Sequence, residues 1–310
     1  MTLDSIRKKS SPLCALILLG ITLTLGIIFS GEMGEYVSEG MNLAIRCVIP
    51  SSFPFMIISD LYVHYGNPEE LGRLGKIIAR IVGIPTYMLG AFICGNVGGF
   101  PIGAKITGEL YQGSNMRRRD AERLIALSSN PSSAFIIGGV GLGMYNSIRV
   151  GFILLISVYS SMLLCALLTR PKSIDFNFIG NNIRQKYNFV ASVKQSGLSC
   201  ISLISFISIF SVAVGMVKNH VKNTAFSYAV ITLLEVTNAL KIFADSPVFS
   251  TPIKLMLSGF ALGFGGVSVM MQSALFLEKT DLKMLNYVWI KLLQGALCAS
   301  VSVLLFVLWK

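Results

Sequence analysis

Glu235 follows eleven uncharged residues that begin at Thr224, and Thr237 and Asn238 stand directly behind it. A carboxylate inside a bilayer is costly, so it reads by default as part of a solute, proton or ion path. It could receive hydroxyl or amine groups of a solute, or hold a coupling proton or sodium ion. The structural alternative is a helix-end residue near the interface, satisfied by Lys241. Gln272, inside the apolar run Leu255–Leu277, offers a similar choice between a solute contact and an interhelical hydrogen bond.

Two other stretches interrupt apolar sequence with glycine, proline and small polar residues: GNVGGFPIGAK (Gly95–Lys105) and SSNPSSAF (Ser128–Phe135). Irregular backbone at membrane depth is tolerated only where protein buries it or a watery cavity borders it. In the first stretch glycine and proline both oppose regular helix, and Phe100 is pushed toward extended backbone by Pro101. The chain is expected to dip in, break, and return as a helix beginning near Ile102–Gly103. Free amides at that helix start, around Gly99, Pro101 and Gly103, could face an anionic or carbonyl group, with Lys105 adding a charge. The competing reading is a surface loop with Lys105 snorkelling to headgroups. In the second stretch Asn130-Pro131 should end a helix. Ser128, Ser129 and Asn130 could then bond a solute or merely cap and glue helices.

The elements that must hold these residues are membrane helices. The chain is 53% apolar and 13% charged, with a mean hydropathy of +0.69, about half the charged fraction of an ordinary soluble domain. Uncharged runs long enough to cross hydrocarbon are Pro12–Ser30, Val150–Thr169, Leu198–Val217, Leu255–Leu277 and Leu292–Trp309. Weaker candidates are Met41–Tyr62, Ile81–Cys94 and Thr224–Leu234. The expected fold is an all-α, polytopic, multi-pass membrane protein with some elements spanning and some re-entrant.

A net charge of +11 does not imply nucleic acid here. The basic residues form short clusters between apolar runs (Arg7-Lys8-Lys9, Arg117-Arg118-Arg119, Arg170 with Lys172), as the positive-inside rule expects. The start, Met1–Ser30, reads as an uncleaved helix, because its apolar run exceeds a signal peptide's and no A-x-A-like cleavage site follows. The six cysteines stand singly without a C-x-x-C pair, so packing is their expected role and neither a metal nor a disulfide framework is indicated. His64 and His220 fall at segment ends. No H-E-x-x-H, G-x-S-x-G or nucleotide-binding pattern occurs, so no enzyme, no catalytic residue and no cofactor is expected. Asp120 or Ser114 could cap the amphipathic stretch Met116–Leu127.

The polar stretch Arg170–Asn188 divides the chain. The expected organisation is an N-terminal helix over residues 1–35, a first repeat over 36–170, a connector over 171–188 and a second repeat over 189–310. A faint echo supports two pseudo-repeats: Gly40…Phe53 matches the spacing of Gly197…Phe210, and Gly98–Pro101 before Leu110 that of Gly265–Ser268 before Leu277. Duplicated halves holding a solute where broken helices meet is a common transporter plan.

GGFPIGAKITGELYQ (Gly99–Gln112) followed by DAERLIALSSNPSSAFIIGGVG (Asp120–Gly141) resembles the nucleoside-recognition, or Gate, domain family in its sporulation integral membrane protein branch. VIPSSFPF (Val48–Phe55) and EVTNAL (Glu235–Leu240) are similar to that branch's early and second-half elements. The sequence departs from the pattern at Gly98, Ser132–Ser133 and Asn238–Ala239, and Gly265–Gln272 lacks a Pro-x-Gly-Ala-Lys element. The resemblance implies an architecture similar to concentrative nucleoside transporters, with helical hairpins and inverted repeats. It also implies a link to endospore formation, to dipicolinic acid and to a forespore membrane. On that reading Gly99, Pro101, Gly103 and Lys105 belong to a first hairpin, Ser128–Asn130 to the following break, and Glu235, Thr237 and Asn238 to the opposing half. The partners expected are a small-molecule solute and the lipid bilayer, with homo-oligomerisation open. A nucleoside-type carrier and a non-transporting component of spore-envelope assembly are the alternatives.

Overall fold

A computed structural model describes residues 29–65, 72–113, 116–171 and 188–309. The expected span Pro12–Ser30 and the connector Arg170–Asn188 lie outside these residues except at their edges, as do Cys14, Ser114, Lys172 and the Arg7–Lys9 cluster. All regular structure among the described residues is helical.

Helix α1 (Ser30–Leu43) passes through a π-helical turn at Ala44–Val48 into α2 (Ile49–Tyr65). Ser30–Val48, which includes this turn, meets Ser52–Leu61 at 63°. Pro54 lies inside α2, and proline and π-turns are the usual causes of sharp bends. Next, α3 (Gly72–Val82) and α4 (Leu89–Gly98) meet at 93°. The expected single run Ile81–Cys94 is thus two elements, divided where Gly83 turns at φ 72° before Pro85. Helix α3 exposes Leu74, Ile77, Ile78 and Ile81, with Arg73, Lys76 and Arg80 exposed beside them, a pattern suited to the membrane interface.

Then follow α5 (Ile102–Gln112), α6 (Arg118–Ser128), a π-helix (Phe135–Met144) and α7 (Ile148–Leu168). The second half holds α8 (Phe189–His220), α9 (Thr224–Leu234), α10 (Val236–Asp245), α11 (Thr251–Phe264), α12 (Gly266–Phe276) and α13 (Met284–Leu308). Asn188 and Asn223 cap α8 and α9 through their side chains, accepting from Ala191 N at 2.8 Å and Phe226 N at 3.0 Å. Asp120 is not the cap of α6. It lies in the first turn and takes the Arg117 guanidinium at 2.7 Å.

Among the described residues four helical stretches are long and apolar enough to cross a membrane: α7, α8, α11 with α12, and α13. The count reaches six if each bent pair is one span. With the relative reported below, this makes the chain a multi-pass membrane protein.

Helix α13 packs one face on α6, α7 and α11, while α8 covers α1 and α2. Small residues allow these crossings. A Cβ at Gly263 would stand 2.8 Å from Gly295 Cα, and one at Gly40 2.8 Å from Ser208 Cα. Close backbone approach is how membrane helices gain dispersion energy where lipid supplies no hydrophobic contrast.

Candidate solute site

Four interruptions of the main chain meet at one place. The first is the turn between α4 and α5, where Gly99 has φ 80° and the Phe100–Pro101 peptide is cis. The second is residues 129–132, between α6 and the helical turn that leads into the π-helix. The third is Glu235, between α9 and α10. The fourth is Gly265–Gly266, with φ 85° and 81°, between α11 and α12. A Cβ on Gly99 would strike Ser132 N at 2.8 Å, one on Gly265 would lie 3.3 Å from the Phe100 ring, and one on Gly266 3.1 Å from Leu234 O. Glycine is needed twice over here, for the positive φ and for the contact. Below the first turn, a Cβ at Gly95 would stand 2.6 Å from Ser128 O, and one at Gly103 2.5 Å from Ser128 Oγ. The two arms of the turn therefore clasp the end of α6. Gly99, Pro101, Gly103, Ser128, Ser129, Asn130, Glu235, Thr237 and Gln272 are all buried.

The interruptions border a cavity of about 30 Å³ whose polar lining is Ser52, Ser132, Glu235, Thr237 and Gln272, with Phe100 and Val269 among the apolar walls. That is room for about two waters. Glu235, 1% exposed, is the side-chain cap of α10. Its Oε1 accepts from Thr237 N at 3.0 Å and its Oε2 from Asn238 N at 2.6 Å. Asn238 Nδ2 reinforces Oε2 at 2.8 Å and also donates to Ser211 Oγ at 2.8 Å. An anion at a helix N-terminus is favoured by the dipole, and these contacts replace the expected Lys241, which is exposed. Gln272 makes no interhelical bond. Its Nε2 donates to Ser268 on the same helix at 3.2 Å, and its Oε1 is buried without a partner. An orphaned acceptor beside a cavity is a group still able to take a donor.

Behind Phe100 lies a polar network in which sequence reasoning had seen only Ser128–Asn130. Lys291 of α13 is fully buried. Its Nζ donates to Ser129 O at 2.8 Å, Asn130 Oδ1 at 3.0 Å and Gln294 Oε1 at 2.8 Å. Gln294 Nε2 also donates to Asn130 Oδ1, at 2.7 Å. Asn130 Nδ2 in turn donates to Asn96 Oδ1 at 2.9 Å and Leu127 O at 3.0 Å, and Asn96 Nδ2 to Phe92 O at 2.8 Å. The ammonium stands 5.8 Å from the Phe100 ring centre. Three acceptors require three N–H donors, which an ammonium has. Burial costs such an ion several kcal/mol. Charge-assisted hydrogen bonds of about 1.5–3 kcal/mol each and a cation–π contact of up to about 2 kcal/mol offset that cost. Among the described residues no carboxylate pairs with Lys291. Beside it the buried hydroxyls of Ser129, Ser273 and Tyr287 stand close to one another.

Lys105 is placed differently. Its Nζ meets Asp60 Oδ1 at 2.6 Å, with side chains 11% and 7% exposed, so its charge is engaged with α2. Asp60 had not been singled out. A second cavity, about 1150 Å³, lies away from the interruptions, between Arg117–Asp120, Thr169–Pro171 and the start of α13. There Arg118 Nε donates to Glu122 Oε1 at 2.7 Å, and Glu122 also accepts from Lys283 N at 2.9 Å and from Asn286. Burial pushes the Glu122 carboxyl up, but these donors together pull it below its ordinary value.

The chain is 26% identical over 321 aligned positions to the sporulation integral membrane protein YlbJ of Bacillus subtilis (strain 168), covering 89% of this chain and 77% of that protein. No family model matches the chain, and no solved structure matches it. The relative carries the name of the branch that the motifs resemble, and the Gate-domain likeness rests on those motifs alone.

Proposed function

We propose that this protein carries a small polar or anionic solute across the membrane, binding it at the seam where the four interruptions meet. The observation that carries the reading is that meeting itself. Breaks from both halves of the chain adjoin one polar-lined cavity with an orphaned acceptor on its wall, as expected of a carrier's midplane site. In the described state the cavity has room for about two waters and no larger solute, so binding requires the halves to part. Gln272, Thr237 and Glu235 offer acceptors to solute hydroxyls or amines. Lys291, across Phe100, supplies positive potential in place of the ion-paired Lys105. The sporulation name of the relative supports a role in endospore formation, the family resemblance of the motifs adds dipicolinic acid or a similar compound as the solute, and Glu235 supports a nucleoside-type alternative. No enzymatic activity is proposed.

A non-transporting role in spore-envelope assembly is favoured by one observation, the small size of the cavity. Uptake of labelled dipicolinate and of nucleosides into proteoliposomes separates the readings. The carrier predicts flux above empty vesicles, reduced about tenfold by Gln272→Leu and by Thr237→Val, since each removes a polar contact worth about 1.4 kcal/mol. No flux of any solute tested, or equal flux in variants and wild type, would refute this site.

A further inference from the structure

We infer that the Lys291 ammonium is a tethered stand-in for a free monovalent cation, filling an oxygen cage that would otherwise bind an alkali or small ammonium ion. The inference holds whether or not the chain carries a solute. The cage consists of one main-chain carbonyl, Ser129 O, and two side-chain amide oxygens, Asn130 Oδ1 and Gln294 Oε1, at 2.8–3.0 Å from Nζ. All three are neutral. Such carbonyl-type oxygens, held rigidly, are what replaces the hydration shell of a monovalent cation in protein sites. A buried lysine kept for charge pairing would instead be expected to face a carboxylate, and among the described residues this one has none.

The cage is also pre-organised without Lys291. Asn130 is oriented by its donations to Asn96 Oδ1 and Leu127 O, Asn96 by Phe92 O, and Gln294 by its donation to Asn130 Oδ1. Ser129 O belongs to the residue where α6 ends, an end at which the helix dipole favours positive charge. The Phe100 face, 5.8 Å away, adds a further cation-favouring surface. Each of these groups thus presents negative partial charge to Nζ, and the lysine stem enters from the neighbouring turn of α13. A cation delivered by the chain needs no loading from solution, so the wild-type protein should be indifferent to Na+ and K+ at this place.

The test is thermal unfolding of the purified, full-length protein in chlorides of Na+, K+, methylammonium and the bulky N-methylglucamine. Wild type is expected to unfold at the same temperature in all four. Lys291→Met keeps the apolar stem and vacates only the ammonium position. It should show a saturable upward shift in midpoint with at least one of the three small cations and none with N-methylglucamine, because a ligand that binds only the folded state stabilises it. Adding Gln294→Leu, which deletes a cage oxygen, should abolish the shift. A small-cation shift in the wild type would overturn the inference. So would a Lys291→Met protein that folds equally well in all four salts, or one that stays unfolded in every one.

Discussion

Asn130 is the junction of the network behind Phe100, and its replacement by the isosteric Leu has a cost that can be worked from the bonds it makes. The change removes the acceptor of Gln294 Nε2 (2.7 Å), one of three acceptors of Lys291 Nζ (3.0 Å) and the donor to Asn96 Oδ1 (2.9 Å). Leu127 O is spared, because Asn96 Nδ2 still reaches it at 3.2 Å. Each buried group so stranded costs about 1–3 kcal/mol. Three of them give about 5 kcal/mol, against a typical net stability of about 5–15 kcal/mol. At about 2–4 °C per kcal/mol for a large domain, the unfolding midpoint in detergent should drop by roughly 10–20 °C. A double-mutant cycle with Gln294→Leu should return a coupling of about 1 kcal/mol or more, because the second change removes a donor that the first had already orphaned. A drop of less than about 3 °C, or additivity within about 0.5 kcal/mol, would mean that water or relaxation satisfies these groups and that the network is not the support described.

Gly103→Ala should cost about 1–3 kcal/mol by overpacking against Ser128, whereas Gly138→Ala, where a Cβ meets nothing within 4 Å, should be neutral in the same thermal assay. Removing one partner of the Asp60–Lys105 pair by Lys105→Met should destabilise by about 3–5 kcal/mol. Adding Asp60→Asn should restore part of that loss, a recovery not expected if Lys105 serves only as a solute contact. Glu122, on α6 outside the candidate spans, has a carboxyl held below its ordinary value, so it stabilises the fold above its unfolded pKa. That contribution disappears as pH falls from the ordinary carboxylate range through the lowered folded value. Glu122→Gln should flatten this acid limb of the stability profile.

The interruptions were legible because glycine, proline and a carboxylate inside apolar sequence have few other meanings. Gly99–Pro101, Ser128–Asn130 and Glu235 all lie where the breaks are, with α5 starting at Ile102 as expected. The echo between Gly98–Pro101 and Gly265–Ser268 fell on two left-handed glycine turns. Lys291 was missed for a physical reason. Reading spans as uncharged runs ends one at Leu292 and discards the charge beside it. A helical reading of α13 would have found it, because Tyr287, Lys291, Gln294, Cys298 and Ser302 recur at spacings of three and four and form its buried stripe. In a membrane helix, polar residues on one face mark the inside. Asp60 and Asn96 were harder, since nothing local joins them to partners 45 and 34 positions away.

The half-depth helices carry a mechanical consequence. Helices α4, α5, α6, α9, α10 and α12 have 10 or 11 residues each, about 15–17 Å of rise, roughly half the hydrocarbon layer. Butted rods of this kind can separate without any of them unwinding. The work of parting falls on a few touching surfaces, such as Phe100 against Gly265 and Gly266 against Leu234. An amide-sensitive spectrum should therefore stay unchanged through such a motion, while a fluorophore set beside Phe100 should dim or brighten.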